Sequence, residues 1–206
     1  MRARRASPIA PSPAFRYNSC GSERGPALFK KRFTTILLFA CVALPAAAQD
    51  WHTKLTQAMP LLGHRNWILV VDSAYPLQTS AGVETVETNA SQTEVVRAVL
   101  KEINGSIQVR PVVSMDSELP FVSDADAPGA SAYRAEIAEL LRPYPVQSTP
   151  HEKIISNIDE AGKTFHVLVL KTNMTIPYTS VFIRLDCKYW SAEQEKNLRM
   201  KMSAAH

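Results

Sequence analysis

The chain beyond residue 48 has few of the residues that mark common catalytic motifs. It holds five of the seven glycines, and none of them forms a glycine-rich phosphate loop or a Gly-x-Ser-x-Gly nucleophile turn. It keeps one of the three cysteines, Cys187, which therefore cannot form an intrachain disulfide. No cysteine pair or closely spaced histidine pair indicates a metal site. The sequence thus argues against phosphate-loop, nucleophile-elbow and metal chemistry.

The segment 30–48 has the three parts of a secretory signal peptide. Three basic residues at 30–32 precede an apolar run at 33–44, and Ala46-Ala47-Ala48 supplies small residues for cleavage before Gln49. We therefore expect an exported protein, periplasmic or secreted, with no membrane span left after cleavage.

Two alternatives to a cleaved signal peptide are weaker. A permanent membrane anchor would need a longer apolar run than 33–44. A lipoprotein would use Cys41, but the bulky Phe39 precedes it and the small-residue site lies downstream.

Residues 1–29 are rich in Arg, Pro and Ser, so we interpret them as a disordered leader or a mis-annotated start.

The whole chain carries 23 basic and 19 acidic residues, a net charge of +4. Residues 1–48 hold eight of the basic and one of the acidic residues, which leaves a net charge of −3 for the remainder. No basic patch remains, and nucleic acid is not a predicted partner. The 158 residues that follow are enough for one domain, which we assign to 49–190 with a polar tail at 191–206.

Apolar periodicity predicts an α/β fold in which helices pack on a central sheet. The pattern indicates helices over 50–62, from a Ser91 cap to 103, over 131–141, from 150 to 161 and in the tail from 191, and strands over 67–71, 83–87, 107–113, 165–170 and 181–185. A loop is expected between 116 and 130, where acidic residues, proline and glycine occur together.

Polar residues at strand ends are the candidates for chemistry, because ligands bind there in α/β sheets. His64 and Asp72 flank the first strand, His151 begins a helix, and Tyr178 and Ser180 open the last strand. Each also has a structural interpretation: a lone histidine in a turn is usually solvated, and an aspartate after a strand often caps a turn.

Three stretches resemble one family. "LLGHRNWILVVDSAYP", residues 61–76, is similar to the N-terminal signature of the D-ribose pyranase and L-fucose mutarotase family (RbsD/FucU), in which Leu-Gly-His precedes a strand and Asp-Ala-x-x-Pro follows it. "LKTNMTIPYTSVFIRL", residues 170–185, resembles its closing segment, and "STPHEKI" the segment with a second active-site histidine. The matching positions are Gly63, His64, Asp72, Pro76, His151, Thr172, Pro177 and Tyr178.

The resemblance implies a mutarotase or pyranase that interconverts the anomers or ring forms of a monosaccharide. His64 would be the catalytic acid–base, since imidazole exchanges protons near neutral pH. Substrate would be bound by Asp72, His151, Tyr178 and Ser180, with Trp67 or Tyr75 facing the sugar ring. The reaction moves only protons, so no cofactor is expected. Family members form homo-oligomeric rings with sites between subunits.

The sequence departs from the family in its closing segment. Asn173-Met174 stands where Gly-Glu is usual, and Ser180 replaces an asparagine that contacts sugar. A non-catalytic monosaccharide-binding or assembly protein that keeps the fold is therefore the main alternative. A secreted hydrolase with a His/Asp pair ranks last, because the chain lacks a nucleophile motif.

Overall fold

The computed structural model describes residues 50–205, so the predicted leader and signal peptide lie outside the described residues. The helices are α1 Trp51–Ala58, α2 Gln92–Gly105, α3 Ala130–Leu141, α4 His151–Gly162 and α5 Ala192–Ala204. The strands are β1 Trp67–Val71, β2 Val83–Glu87, β3 Val109–Asp116, β4 Val146–Thr149, β5 Val167–Lys171 and β6 Val181–Cys187, and a short 3₁₀ helix spans Leu119–Phe121.

The six strands form one mixed sheet in the order β2-β5-β1-β6-β3-β4. Strand β6 runs antiparallel to both of its neighbours, β1 and β3, and the other pairs are parallel. Five strands therefore finish at one end of the sheet, where β6 begins. We name this the carboxyl end. The predicted α/β fold class is confirmed.

Both faces of the sheet are buried, which explains the unbroken apolar sequence of β1. Ile68 and Val70 pack on the face covered by α2, whereas Leu69 and Val71 pack on the face covered by α4. Side chains alternate along a strand, so a five-residue run supplies both cores.

Several predicted boundaries differ from the structure. Helix α1 ends at Ala58, shortly before Pro60. Strand β3 continues to Asp116, three residues beyond the prediction. Thr149, which directly precedes the helix predicted to begin at 150, ends β4, an edge strand that the sequence did not predict. Strand β4 has four residues and a largely exposed, polar pattern, so it carries no apolar alternation to detect.

The tail forms helix α5, which a capping box of Ser191 and Gln194 starts. None of its residues is buried. Among residues 50–205, no helix is both long enough and apolar enough to cross a bilayer.

Candidate functional site

A cavity of about 520 Å³ opens at the carboxyl end of the sheet. Three separate parts of the chain line it: the segment after β1, the first turns of α4, and the segment before β6. Three of the predicted site residues, Asp72, His151 and Tyr178, are among the lining residues. Tyr75, the predicted alternative for facing a sugar ring, also lines it, together with Ser73, Ala74, Pro76, Ile155, Thr175, Ile176 and Pro177.

Asp72 is held by the turn that follows β1. Its Oδ1 accepts a hydrogen bond of 2.9 Å from the backbone N–H of Ala74. The hydroxyl of Ser180 lies 3.4 Å from its Oδ2. Ser180 itself is buried and is not a lining residue, so it reaches the cavity through Asp72.

Tyr178 adopts a left-handed backbone conformation, with φ 60°. That region is costly for a residue with a side chain, and it is maintained only where the surroundings enforce it. The next residue is fixed from two sides, because Tyr133 Oη and Gln92 Nε2 both donate to the Thr179 carbonyl, at 2.6 and 2.9 Å. The Tyr178 ring then meets the imidazole of His151 edge-on, with 5.4 Å between centroids.

Gln92 joins the strands that carry the site. Its side chain is fully buried at the start of α2. Besides Thr179, its amide donates to the Val70 carbonyl of β1 at 2.9 Å, and its Oε1 accepts from the Thr172 hydroxyl at 2.6 Å. Every polar atom of the amide thus has a partner, which ties the end of β1 to the start of β6.

Two carboxylates contact His151: that of Asp116, the last residue of β3, and that of Glu118, two residues later. Its Nδ1 lies 3.1 Å from Oδ1 of Asp116. Its backbone N–H, at the start of α4, donates to both carboxylate oxygens of Glu118, at 3.0 and 3.2 Å. Pro150, at the N-cap, offers no side-chain cap of its own. This hydrogen bond from the His151 backbone is the main reason that the pKa of Glu118 is lowered.

Asp116 is the main site residue that the sequence did not identify. Its carboxylate is excluded from solvent, and Oδ2 has no hydrogen-bond partner from residues 50–205. Burial raises the pKa of Asp116 from 3.8 to about 6, although the charge and hydrogen bond of His151 act to lower it. The available signal was the position of Asp116 at the carboxyl end of β3, similar to that of Asp72, which directly follows β1. It was assigned instead to the start of an acidic loop.

His64 lies at the other end of the sheet from the cavity. Strand β1 separates His64 from Asp72, and five residues at about 3.3 Å each make roughly 16 Å. The imidazole is exposed, with Nε2 3.9 Å from Oδ1 of Asp186, which also pairs with Arg110 at 2.7 Å. Within one chain, therefore, the structure does not bring His64 to the residues that line the cavity. Trp67 is likewise absent from the lining.

The lining residues offer hydrogen-bond acceptors, the phenols of Tyr75 and Tyr178, and the imidazole of His151 around one space. Burial, followed by the charges of Asp159, Asp116 and Asp72, raises the pKa of Tyr75 to about 12, so this phenol stays protonated and can donate. Such a set suits a ligand rich in hydroxyl groups, and a volume of this size is ordinary for a small-molecule site. Among the described residues, no group of three or more His, Cys, Asp or Glu side chains is arranged to hold a metal ion.

No protein-family model matches the sequence, and no curated protein matches it either. The fold is similar to those of RbsD and FucU structures. Bacillus subtilis RbsD complexed with D-ribose has a TM-score of 0.46 and 14% identity, over 64% of this chain and 90% of that one. The fucose mutarotase of Streptococcus pneumoniae in complex with L-fucose has a TM-score of 0.46 and 15% identity, over 68% and 96%. FucU from Bifidobacterium longum has a TM-score of 0.45 and 14% identity, over 64% and 90%.

Proposed function

We propose that this chain binds a monosaccharide in the cavity at the carboxyl end and interconverts its anomers or ring forms. The observation that carries the proposal is the meeting of Asp72, His151 and Tyr178 around one cavity, although they come from three distant parts of the sequence. The motifs that contain these residues resemble those of sugar mutarotases and pyranases.

The proposed reaction opens and recloses the sugar ring. A base removes the proton from the anomeric hydroxyl while an acid protonates the ring oxygen, so that the bond between the anomeric carbon and the ring oxygen breaks and a carbonyl forms. Reclosure after rotation gives the other anomer. Histidine can perform either proton transfer near neutral pH. In this proposal His151 is the imidazole that the cavity's own chain supplies.

We further propose that His64 acts in the cavity of a neighbouring copy within a homo-oligomeric ring. It is exposed at the end of the sheet opposite the cavity, as a residue that serves another subunit would have to be. A head-to-tail contact between copies would bring the two ends together, and such contacts form a ring when the rotation between successive copies closes.

Saturation-transfer NMR with a panel of monosaccharides tests the proposal, because it detects binding and anomer exchange in one experiment. We expect exchange above the uncatalysed rate for at least one sugar. Replacing His151 by Gln should lower that rate about 10²- to 10⁴-fold, the usual contribution of one acid–base side chain. His166→Gln is the matched control, since His166 lies outside the cavity lining beside Glu84. Equal rates in all three proteins would refute the role of His151.

The second candidate is a monosaccharide-binding protein without catalysis. It is favoured by the distance of His64 from the cavity of its own chain and by Ser180, which contacts Asp72 instead of lining the cavity. Saturation transfer to a sugar whose anomers exchange only at the uncatalysed rate would establish this function in place of the first.

Export is also part of the proposed function, which would then operate in the periplasm or outside the cell. It is motivated by the basic cluster, the apolar run and the alanines of segment 30–48. N-terminal sequencing of the purified native protein should find Gln49 first. A chain that retains residues 33–44 would contradict cleavage, and a lipid-modified Cys41 would establish the lipoprotein alternative.

A further inference from the structure

We infer that Asp116 is a positioning residue for His151: its buried carboxylate holds the imidazole as the Nδ1–H tautomer and so presents Nε2 as the proton acceptor for the sugar. The inference rests on the proposed function, and it adds a residue that the family motifs do not contain.

The contact between the two side chains is set by the backbone. Parallel pairing aligns Asp116, the last residue of β3, with Thr149, the last residue of β4. Helix α4 begins two residues after Thr149, at His151. The Ser117 N–H donates to the Thr149 carbonyl at 2.9 Å and extends this pairing past the strand ends. The pairing of β3 with β4 and the start of α4 at His151 therefore place the imidazole beside Asp116.

Among residues 50–205, Asp116 has no partner besides His151 that would explain a buried carboxylate. Within residues 50–205, neither a lysine nor an arginine forms an ion pair with it, and the imidazole 3.1 Å away is its hydrogen-bond partner. A lone carboxylate that is excluded from water is destabilising unless it is paired. Buried carboxylates of this kind are concentrated at functional sites, and the group that Asp116 contacts is the ring of His151.

The tautomer follows from what a carboxylate can accept. An ionised Asp116 is only an acceptor, so the neutral imidazole must carry its proton on Nδ1. Nε2 then holds the lone pair, and no protein atom among residues 50–205 bonds to it. When Nε2 takes a proton from the anomeric hydroxyl, the carboxylate stabilises the imidazolium that forms.

The groups that face the pair are mostly acidic. Glu118 and Asp72 both raise the pKa of Asp116 by their charge, and Tyr75 and Tyr133 are close enough to be affected by Asp116. Two arginines, Arg134 and Arg142, line a groove between Asp116 and α3, but each contacts groups other than Asp116. Arg134 donates to the carbonyls of Leu119 and Val122, and Arg142 pairs with Glu139. The imidazole of His151 is thus the hydrogen-bond partner that its surroundings leave for Asp116.

Two variants separate positioning from simple loss of charge. Asp116→Asn is nearly isosteric, but its amide can donate to Nδ1 and so favours the Nε2–H tautomer. Glu118→Gln also removes a carboxylate that touches His151, but at the backbone N–H and not at the ring. Nitrogen-15 NMR of the histidine ring reports the tautomer directly and needs no substrate.

We expect His151 to be the Nδ1–H tautomer in the wild-type protein and in Glu118→Gln, and to switch to Nε2–H in Asp116→Asn. The exchange kcat of Asp116→Asn should fall about 10²-fold, within the range for loss of acid–base function. Its sugar Kd, from saturation transfer, should stay within about threefold, because Asp116 is not among the residues that line the sugar cavity.

Three outcomes would overturn the inference. An Nε2–H wild-type ring, or a tautomer unchanged in Asp116→Asn, would show that the carboxylate does not set the proton. A switched tautomer with normal kcat would show that the proton's location is irrelevant to exchange. Wild-type protein that shows the expected tautomer but catalyses no exchange of any sugar would instead identify the proposed function as the failing premise.

Discussion

Two aspartates in similar sequence positions have opposite environments. Asp72 directly follows β1 and Asp116 is the last residue of β3, so both lie at the carboxyl end of the sheet. Asp72 is partly exposed, and the Ala74 N–H and the Ser180 hydroxyl lie at its two oxygens. Asp116 is buried, with one oxygen at His151 and the other unpartnered by residues 50–205. The first suits direct contact with a ligand, whereas the second suits control of another side chain.

The raised pKa of Asp116 predicts how its replacement changes stability with pH. Its folded pKa of about 6 lies above the ordinary value of 3.8, so the native state binds the proton more tightly than the unfolded state. The stabilisation that the protonated Asp116 gives to the folded wild-type protein is complete below about pH 4 and is lost as pH rises through 6. Asp116→Asn has no such proton to lose. Relative to wild type, its free energy of unfolding should rise by up to about 3 kcal/mol between pH 4 and 7.5, at roughly 1.4 kcal/mol per unit.

Urea unfolding across this pH range measures that difference, and Asp186→Asn is the control of opposite sign. Burial is the largest single influence on the pKa of Asp186 and acts to raise it, but the hydrogen bonds from Arg110 and the Cys187 backbone and the charges of Arg110 and Arg184 together outweigh it, so the net shift is downward. The free energy of unfolding of Asp186→Asn should therefore fall relative to that of the wild-type protein as pH rises. A difference between wild type and Asp116→Asn that is flat from pH 4 to 7.5 would contradict the buried, hard-to-ionise carboxylate described here.

At the scale of elements, strand β6 explains why the site residues meet. It runs antiparallel between β1 and β3, so its first residues lie between the last residues of those two strands. Val181 pairs with Val70 on one side and with Met115 on the other. The segment that precedes β6 and carries Tyr178 therefore enters the sheet between Asp72 and Asp116, which face it from either side.

Helix α4 depends on another element for its start. Pro150 has no side chain that can cap, and Glu118, more than thirty residues earlier, accepts from the first helical N–H. A carboxylate at a helix N-terminus is favoured by the helix dipole as well as by the hydrogen bond. The same contact fixes the position of His151, so the capping of α4 and the geometry of the cavity are linked.

At the scale of the whole molecule, His64 and the cavity lie at opposite ends of the sheet. A single chain cannot place both in one site without unfolding β1, whose last four residues are fully buried. The proposed ring resolves this arrangement, since each cavity would receive His64 from the next copy. The site of one chain would then be incomplete alone.

Subunit complementation tests this shared site. Chains with His64→Ala and chains with His151→Ala should each lose most of the exchange activity. If they are unfolded and refolded together in equal amounts, about one quarter of the shared sites would receive both histidines, and activity should return to that fraction of wild type. If each site used both histidines of its own chain, the mixture would stay inactive.

The control for complementation mixes each variant with the double variant His64→Ala/His151→Ala, which can restore no site. Light scattering of the wild-type protein should give a mass well above one chain. A monomer at micromolar concentration, with mixtures that remain inactive, would remove His64 from the proposed mechanism and leave the cavity of the single chain as the whole site.

The sequence by itself determined the elements that have a strong local pattern. Strands β1 and β2 have the bounds that were predicted, because turn residues interrupt their apolar or alternating runs. Ser91 caps α2 as expected, since its hydroxyl needs only the N–H of Glu94, three residues later. It also identified Asp72, His151 and Tyr178 as candidates, because residue type and position relative to a strand are local properties.

Only the tertiary structure decided which candidates meet. Strand β4 has no apolar pattern and exists through its pairing with β3, and that pairing brings Asp116 to His151 across 35 positions of sequence. The burial that raises the pKa of Asp116 likewise comes from elements packed around it, not from its neighbours in sequence. The resemblance named His64, but the direction of β1 carries it away from the cavity. Distances through space depend on strand order and direction, and these are set by packing of the whole sheet.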